Sequence, residues 1–355
     1  MEFYSGDELL NTKDVNGNDP SVYVATSNRT AGKTTYFESL FINKFCETGS
    51  QTVHFFRSKA EVEATWLIVK GVCDMEENEL ITEPHEITQG KSIADGMVHT
   101  YLIDGQLAGY GIYLGHYVKL KKFSPLFSKV DYTFLDEYQP EDGKFMRNEV
   151  TAYISLIYSI GRGNGEMIRP VRNIMAGNLI TLMNPYLIKS GLYKIINATS
   201  DTSFFRTKGW VAEFNYNEDA AKAVKESAFG QAFENDRYIA NNTENIYLFD
   251  ATKFIENIKS KSQRYLFTVK YNSILYGFRI DNKTKIVYVS DKADPSYPTV
   301  IVFRESEHDE KTIHADFCKD LMRNIIHDYH KGKLRFNSLE TKDAAFEFMA
   351  LSIYQ

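Results

Sequence analysis

The stretch 20–46, PSVYVATSNRTAGKTTYFESLFINKFC, limits the possible folds more than any other part of the chain. Residues 21–25 (SVYVA) read as a short apolar strand, partly β-branched. Thr34 to Cys46 reads as a helix with Phe37, Leu40, Phe41 and Phe45 on one face. Between them run Ser27, Asn28, Arg29, Thr30, Ala31, Gly32, Lys33, Thr34 and Thr35. A strand, then a loop ending in Gly-Lys-Thr, then a helix is the context in which such a loop cradles polyphosphate. Successive backbone N–H groups and the helix N-terminus offer positive potential to ATP phosphates. Gly32 lets the backbone come close, Lys33 can reach the β and γ phosphates, and the Thr34 hydroxyl can ligate Mg²⁺. Ser27 stands where such loops usually begin with glycine, and a serine is strained there if φ must be positive. A chance Gly-Lys-Thr at a helix start is the alternative, and the strand before it argues against chance.

With 355 residues the chain suggests two domains, one large α/β domain being the alternative. A 43% hydrophobic fraction supplies packed cores, and no apolar run reaches the length of a membrane span. The acidic start, MEFYSGDELL, lacks the basic-then-apolar pattern of a signal peptide. Cys46, Cys73 and Cys318 form no metal or redox spacing and fit a reducing cytoplasm. The net charge of −6 weighs against coating nucleic acid non-specifically and leaves room for a local basic surface.

A second half of the nucleotide site lies about a hundred residues downstream, where the strand VDYTFL (130–135) ends in Asp136 and Glu137. Asp136 would hold Mg²⁺, directly or through water, and Glu137 would act as general base on the attacking water. Asn148 to Ile160 reads as a helix leading into a loop with Gly161, Arg162, Gly163, Asn164 and Gly165. Arg172 to Met175 reads as a strand, and Asn178 beyond it can contact the γ-phosphate or lytic water, or simply form a turn. HTYLIDGQLAGYGIY (99–113) reads as a hairpin turning at Asp104 and Gly105. Gln51 to Phe56 reads as a strand with Arg57 directly after it, and Ala60 to Val69 as a helix. The stretch 74–97 suggests no element. KLKKFSPLFSK (119–129) is either a DNA-facing loop, with Lys119, Lys121 and Lys122 as backbone contacts, or a solvated face whose Phe123 and Phe127 are core; the second is preferred.

Residues 1–19 read as a polar lead-in near the nucleotide base, and 1–213 as the nucleotide-binding domain. Residues 214–244, rich in Ala, Glu and Asn, read as a partly helical linker. Residues 245–355 read as a second domain, with strands at 264–271, 274–280, 285–291 and 299–303. A helix is expected over 312–330 with Phe317, Leu321 and Ile325 on one face, and another over 341–353.

Taken together, the chain resembles the DNA-packaging ATPases of phi29-type tailed phages, relatives of large terminase subunits. The resemblance runs over SNRTAGKTT, IDGQLAGYGI, FLDEY, NEVTAYISLIYSIGRG and AGNLITLMNPYL, then FTVKYNSILYGFRID, DPSYPTVIVF and KGKLRF. Arg29 within the phosphate loop is a further terminase-like feature. The resemblance implies an α/β fold: a P-loop ATPase of the additional-strand catalytic-glutamate type, then a smaller ribonuclease-H-like domain. It implies ATP and Mg²⁺, double-stranded DNA, the portal of an empty prohead, and a ring of this chain, five subunits being expected. It admits a structural RNA as a further partner and implies no membrane. The place implied is the host cytoplasm, transiently at the portal vertex. Arg162, at the tip of its Gly-rich loop, matches the trans-acting arginine of that family, with Arg169 and Arg172 as runners-up.

Two other functions fit the same motifs. One is a large terminase whose second domain cuts DNA; the other is a nucleotide switch that moves nothing. Against cutting, the strand RYLFTVKY carries no acid, and Asp281, Asp291 and Asp294 read as turn residues. The second domain then reads as a docking module, with Lys253, Lys259, Lys261 and Arg264 as a basic run at its entrance.

Overall fold

The computed structural model describes residues 3–28, 30–76, 78–140, 145–162, 168–178, 184–198, 203–232, 254–258 and 262–354. Arg29, the 163–165 part of the Gly-rich loop, residues 233–244 of the expected linker, and Lys253, Lys259 and Lys261 lie outside them. Two compact units emerge: Met1–Leu182 with Ser190–Leu248, and Met183–Lys189 with Phe249–Gln355.

Among the described residues the first unit is built on a mixed sheet of nine strands. Its strands are β1 (Val22–Thr26), β2 (Gln51–Phe56), β3 (Ile87–Ile93), β4 (Val98–Ile103), β5 (Gln106–Tyr113), β6 (Val130–Leu135), β7 (Arg172–Gly177), β8 (Phe204–Thr207) and β9 (Trp210–Phe214). Their order is β3-β4-β5-β2-β6-β7-β1-β9-β8. The run from β5 to β9 is parallel, and antiparallel hairpins close both edges. A parallel strand is covered on both faces, so it reads as an unbroken apolar run; all five residues of β1 are buried. The helix Lys33–Thr48 lays Phe37 and Phe41 into a core with Tyr23, Phe134 and Ile174. Leu40 and Phe45 from the expected face are only half-buried. Gly49 ends that helix in the left-handed region, φ +75°, its N–H donating to Phe45 O at 2.7 Å.

The β4–β5 hairpin turns at Asp104 and Gly105, with φ +49° and +75°, the pair of positive angles a two-residue turn needs. In the 74–97 stretch, β3 adds to this hairpin as an edge strand. The single helix expected over 60–69 is two, Lys59–Glu63 and Thr65–Cys73, which meet at Ala64. The first opens on a capping box, Ser58 with Glu61, that fixes its start. The expected linker also needs correction at its beginning. Residue 214 ends β9, which pairs with β1, and helices Glu218–Glu226 and Ala228–Ala232 follow within the first unit.

Among the described residues the second unit holds six strands: β10 (Gln263–Tyr271), β11 (Ile274–Asp281), β12 (Val287–Ser290), β13 (Val300–Val302), β14 (Ile313–His314) and β15 (Leu334–Phe336). The order is β14-β13-β10-β11-β12-β15, with β10, β11 and β12 antiparallel and β13 parallel to β10. Helices Lys319–His330 and Leu339–Tyr354 complete it. Phe267 and Phe278 stack at 4.4 Å, and Phe348 packs its ring among Tyr271, Tyr276, Phe278 and Phe303. The helix expected from 312 starts at Lys319, after a short strand and a 3₁₀ turn. Ile325 is buried as expected, whereas Phe317 is 87% exposed.

Candidate nucleotide site

Strand register brings the sequence-distant candidates to one edge of the first sheet. Thr26 at the end of β1 pairs with Gly177 at the end of β7, and Leu135 at the end of β6 pairs with Met175. The residues that follow each strand, Ser27, Asn178 and Asp136, therefore emerge side by side at the carboxyl ends, where open α/β sheets bind ligands. β7 lies between β1 and β6.

Lys33 is buried, and its ammonium donates to Ser27 Oγ at 2.7 Å, Asn28 O at 3.1 Å, Asn178 Oδ1 at 3.2 Å and Ser27 O at 3.3 Å. An ammonium held mainly by neutral oxygens can exchange them for phosphate oxygens, which offer it a full charge. Among the described residues of the loop, Thr30, φ +63°, and Gly32, φ +94°, are left-handed, and Ser27 is not. The serine thus carries no such strain and contributes a hydroxyl that holds the lysine. Ala31 is buried, while Thr34 and Thr35 open the helix half-buried.

The Thr34 hydroxyl donates to Asp136 Oδ2 at 2.7 Å. Burial raises the Asp136 carboxyl above its ordinary range, against the opposing hydrogen bonds from Thr34 and the Glu137 N–H. A hydroxyl and a carboxylate at hydrogen-bond distance form a hard-oxygen pair that suits Mg²⁺. Among the described residues no group of three or more His, Cys, Asp or Glu could hold a metal. Two protein oxygens, with phosphate and water supplying the rest, is how Mg²⁺ is usually held beside a nucleotide.

Glu137 follows with an exposed side chain and a left-handed backbone, φ +52°. What fixes that conformation is Arg57, noted in the sequence only as following a strand. Its guanidinium donates to Glu137 O at 2.7 Å, to Tyr138 O at 3.0 Å, and to both carboxylate oxygens of Glu149. Glu149 is fully buried in the first turn of the helix Glu149–Gly161. Tyr138 closes the arrangement from the other side, its hydroxyl 2.8 Å from Thr26 Oγ1 and its N–H donating to Ala176 O. Removing Arg57 would take the guanidinium away from the buried Glu149 carboxylate. Arg57→Ala is expected to cost ~3–5 kcal/mol of stability, measured by urea denaturation. Arg57→Met with Glu149→Leu should recover much of it. A loss below about 1 kcal/mol would show that the pair does not hold the turn.

A second unforeseen link ties the loop to the helix Glu218–Glu226. Asn28 Nδ2 donates to Asn217 O at 3.0 Å, and the Asn217 N–H donates to Asn28 Oδ1 at 2.9 Å. Asn217 in turn caps that helix by accepting from the Ala220 N–H.

The other candidates do not join this cluster. Lys119, Lys121 and Lys122 are exposed on the segment after β5, of whose two phenylalanines Phe127 is buried and Phe123 half-buried. Arg162 is exposed directly after the helix Glu149–Gly161, its guanidinium 5.8 Å from the Tyr158 ring centroid. Arg169 is engaged within its own chain, with Asp131, Phe127 O and Ile160 O. In the second unit, Asp281 accepts from the Lys283 and Thr284 N–H groups, Asp294 from Ser296, and Asp291 from Asn337.

The comparisons with known proteins agree with this architecture. The DNA packaging protein of Bacillus phage phi29 is 23% identical over 324 residues, covering 90% of each chain. Two solved structures share the fold. The phi-28 gp11 DNA packaging motor has a TM-score of 0.64 at 17% identity, covering 99% of this chain and 98% of its own. The bacteriophage phi-29 viral genome packaging motor assembly has a TM-score of 0.54 at 21% identity, covering 99% and 100%. The profile of the family described as podovirus DNA encapsidation protein (Gp16) matches residues 3–353, and the chain belongs to that family.

Proposed function

We propose that this chain is an ATPase that drives double-stranded viral DNA into an empty prohead. The observation that carries the reading is the meeting of Lys33, Thr34, Asp136 and Asn178 at the carboxyl ends of β1, β6 and β7. β7 between β1 and β6 supports a P-loop ATPase with the additional strand and a catalytic glutamate. The order β12-β11-β10-β13-β14 in the second unit supports a ribonuclease-H-like domain.

The roles follow from the positions. The loop N–H groups and Lys33 bind and orient the β and γ phosphates of ATP. Thr34 and Asp136 are the residues that would hold Mg²⁺, which neutralises charge on those phosphates when bound. Glu137, held at the rim by Arg57, takes the proton of the attacking water. Asn178 accepts from Lys33 and would meet the γ-phosphate that Lys33 binds, so it can register hydrolysis. Arg162 acts on a neighbouring subunit in a ring, for which five copies are the expected number. The ring works at the portal vertex in the host cytoplasm, and a structural RNA is a further partner to test for. Among the described residues no helix is long and apolar enough to cross a membrane. The second domain serves for docking: Asp281 and Asp294 accept from their own turns, and Asp291 accepts from Asn337.

The test is ATP turnover by purified protein with and without double-stranded DNA and empty proheads, with plasmid integrity followed in Mn²⁺. DNA-stimulated turnover with intact plasmid is the expected result. Turnover indifferent to DNA would favour a nucleotide switch. Nicking abolished by Asp291→Ala would make the protein a cutting terminase.

Packaging must pass any sequence, so phosphate contacts are the suitable kind. Lys119, Lys121 and Lys122 are the proposed contacts. Their triple alanine variant should reduce the slope of log affinity against log salt by up to about 2.7, whatever the base composition. An unchanged slope would remove them from the DNA path.

A further inference from the structure

The segment before β1 crosses the phosphate loop. The Tyr4 N–H donates to Ala31 O at 2.7 Å, and the buried Tyr4 ring sends its hydroxyl to Glu213 Oε2 at 2.7 Å. The Tyr36 hydroxyl donates to Asp7 Oδ1 at 2.7 Å, and Gly6 approaches Tyr36 so closely that a Cβ there would lie 2.7 Å from the ring. Residues 4–7 are thus pinned over the loop end and the first turn of the helix. Phe3, next in line, is 65% exposed, yet its ring lies only 3.4 Å from where a Cβ on Gly32 would be.

An aromatic face left open at this point has one evident use. Lys33 takes the β and γ phosphates, so the nucleoside must leave the loop past the helix start, beside Tyr36 and the pinned segment. We infer that Phe3 is the stacking platform for the purine base of the bound nucleotide, an inference that rests on the ATP-site reading above. Stacking reads the π-face of a base and not its edge, so Phe3 adds affinity without choosing between adenine and guanine. Tyr4, by contrast, is anchored to Glu213 and holds the segment in place.

The experiment compares ligands with and without a base, in a Glu137→Gln background that prevents turnover. Affinities for Mg-ATP, Mg-GTP and inorganic tripolyphosphate are measured by calorimetry for Phe3, Phe3→Ala and Phe3→Trp. Phe3→Ala should weaken both nucleotides by about 5- to 100-fold and leave tripolyphosphate within about twofold. Phe3→Trp should retain nucleotide affinity, and its added indole emission should change with ATP and not with tripolyphosphate. Equal weakening of all three ligands, or of none, overturns the platform while leaving the phosphate site intact. If the parent binds neither ATP nor tripolyphosphate, the nucleotide reading falls first and the platform with it.

Discussion

Glu137→Gln is expected to lower ATP turnover by about 10²- to 10⁴-fold while nucleotide affinity stays close to that of the parent. The amide has the shape of the carboxylate and cannot take the proton of the attacking water. The left-handed turn at Glu137 is fixed through its carbonyl by Arg57, so the substitution leaves the backbone where it was. Thr34 and Asp136 are untouched, and so is Lys33 in its cradle of Ser27, Asn28 and Asn178 oxygens. Lys33→Ala should behave differently, because it removes the charge proposed to meet the phosphates: binding weakens before turnover can be judged. The pair of variants separates chemistry from binding when single-turnover rates and equilibrium affinities are measured together. If Glu137→Gln turns over ATP like the parent, Glu137 is not the base.

The contrast between what could and could not be read in the chain follows contact distance along it. The strand Val22–Thr26 and the helix Lys33–Thr48 were legible because strand, loop and helix are contiguous, and each carries its own local signal. The β4–β5 hairpin was legible because Asp104 and Gly105 are the residues a tight turn requires. Arg57 and Glu149 are 92 residues apart, and nothing local marks them as partners. The one available hint was an arginine at the carboxyl end of a buried strand, where ligand sites form. Asn28 and Asn217, 189 residues apart, were hidden for the same reason. The break at Ala64 was missed because apolar periodicity runs straight through it, although Ser58 and Glu61 mark the true helix start. Phe317 shows the reverse error: spacing placed it on an apolar face, but it sits in a 3₁₀ turn before the helix begins. The short strands β8, β9 and β15, of three to five residues, are too brief to show a period.

Arg162→Ala is expected to lower DNA-stimulated ATP turnover by about 10³-fold or more, the scale on which an arginine that meets the transition state acts. In a ring motor, hydrolysis should wait until a neighbour is correctly placed, and a charge supplied across the interface enforces that order. Such an arginine must be exposed and must lie outside its own nucleotide pocket. Arg162 meets both conditions, directly after a helix whose Ile154 and Tyr158 are also exposed on the same side, at four-residue intervals. Arg169 does not, since Asp131 and two backbone carbonyls hold it within its own chain. Arg172 begins β7, where a strand is the wrong kind of element for a mobile tip. The decisive measurement mixes two inactive proteins. An Arg162→Ala subunit keeps its own Glu137 and can borrow Arg162 from a Glu137→Gln neighbour, so mixed rings should recover part of the ATPase. Recovery will be limited if all subunits must fire in turn, but it should exceed the sum of the separate activities. Full DNA-stimulated turnover by Arg162→Ala alone would end the assignment, and Arg169, freed from Asp131 by rearrangement, would be the next residue to replace.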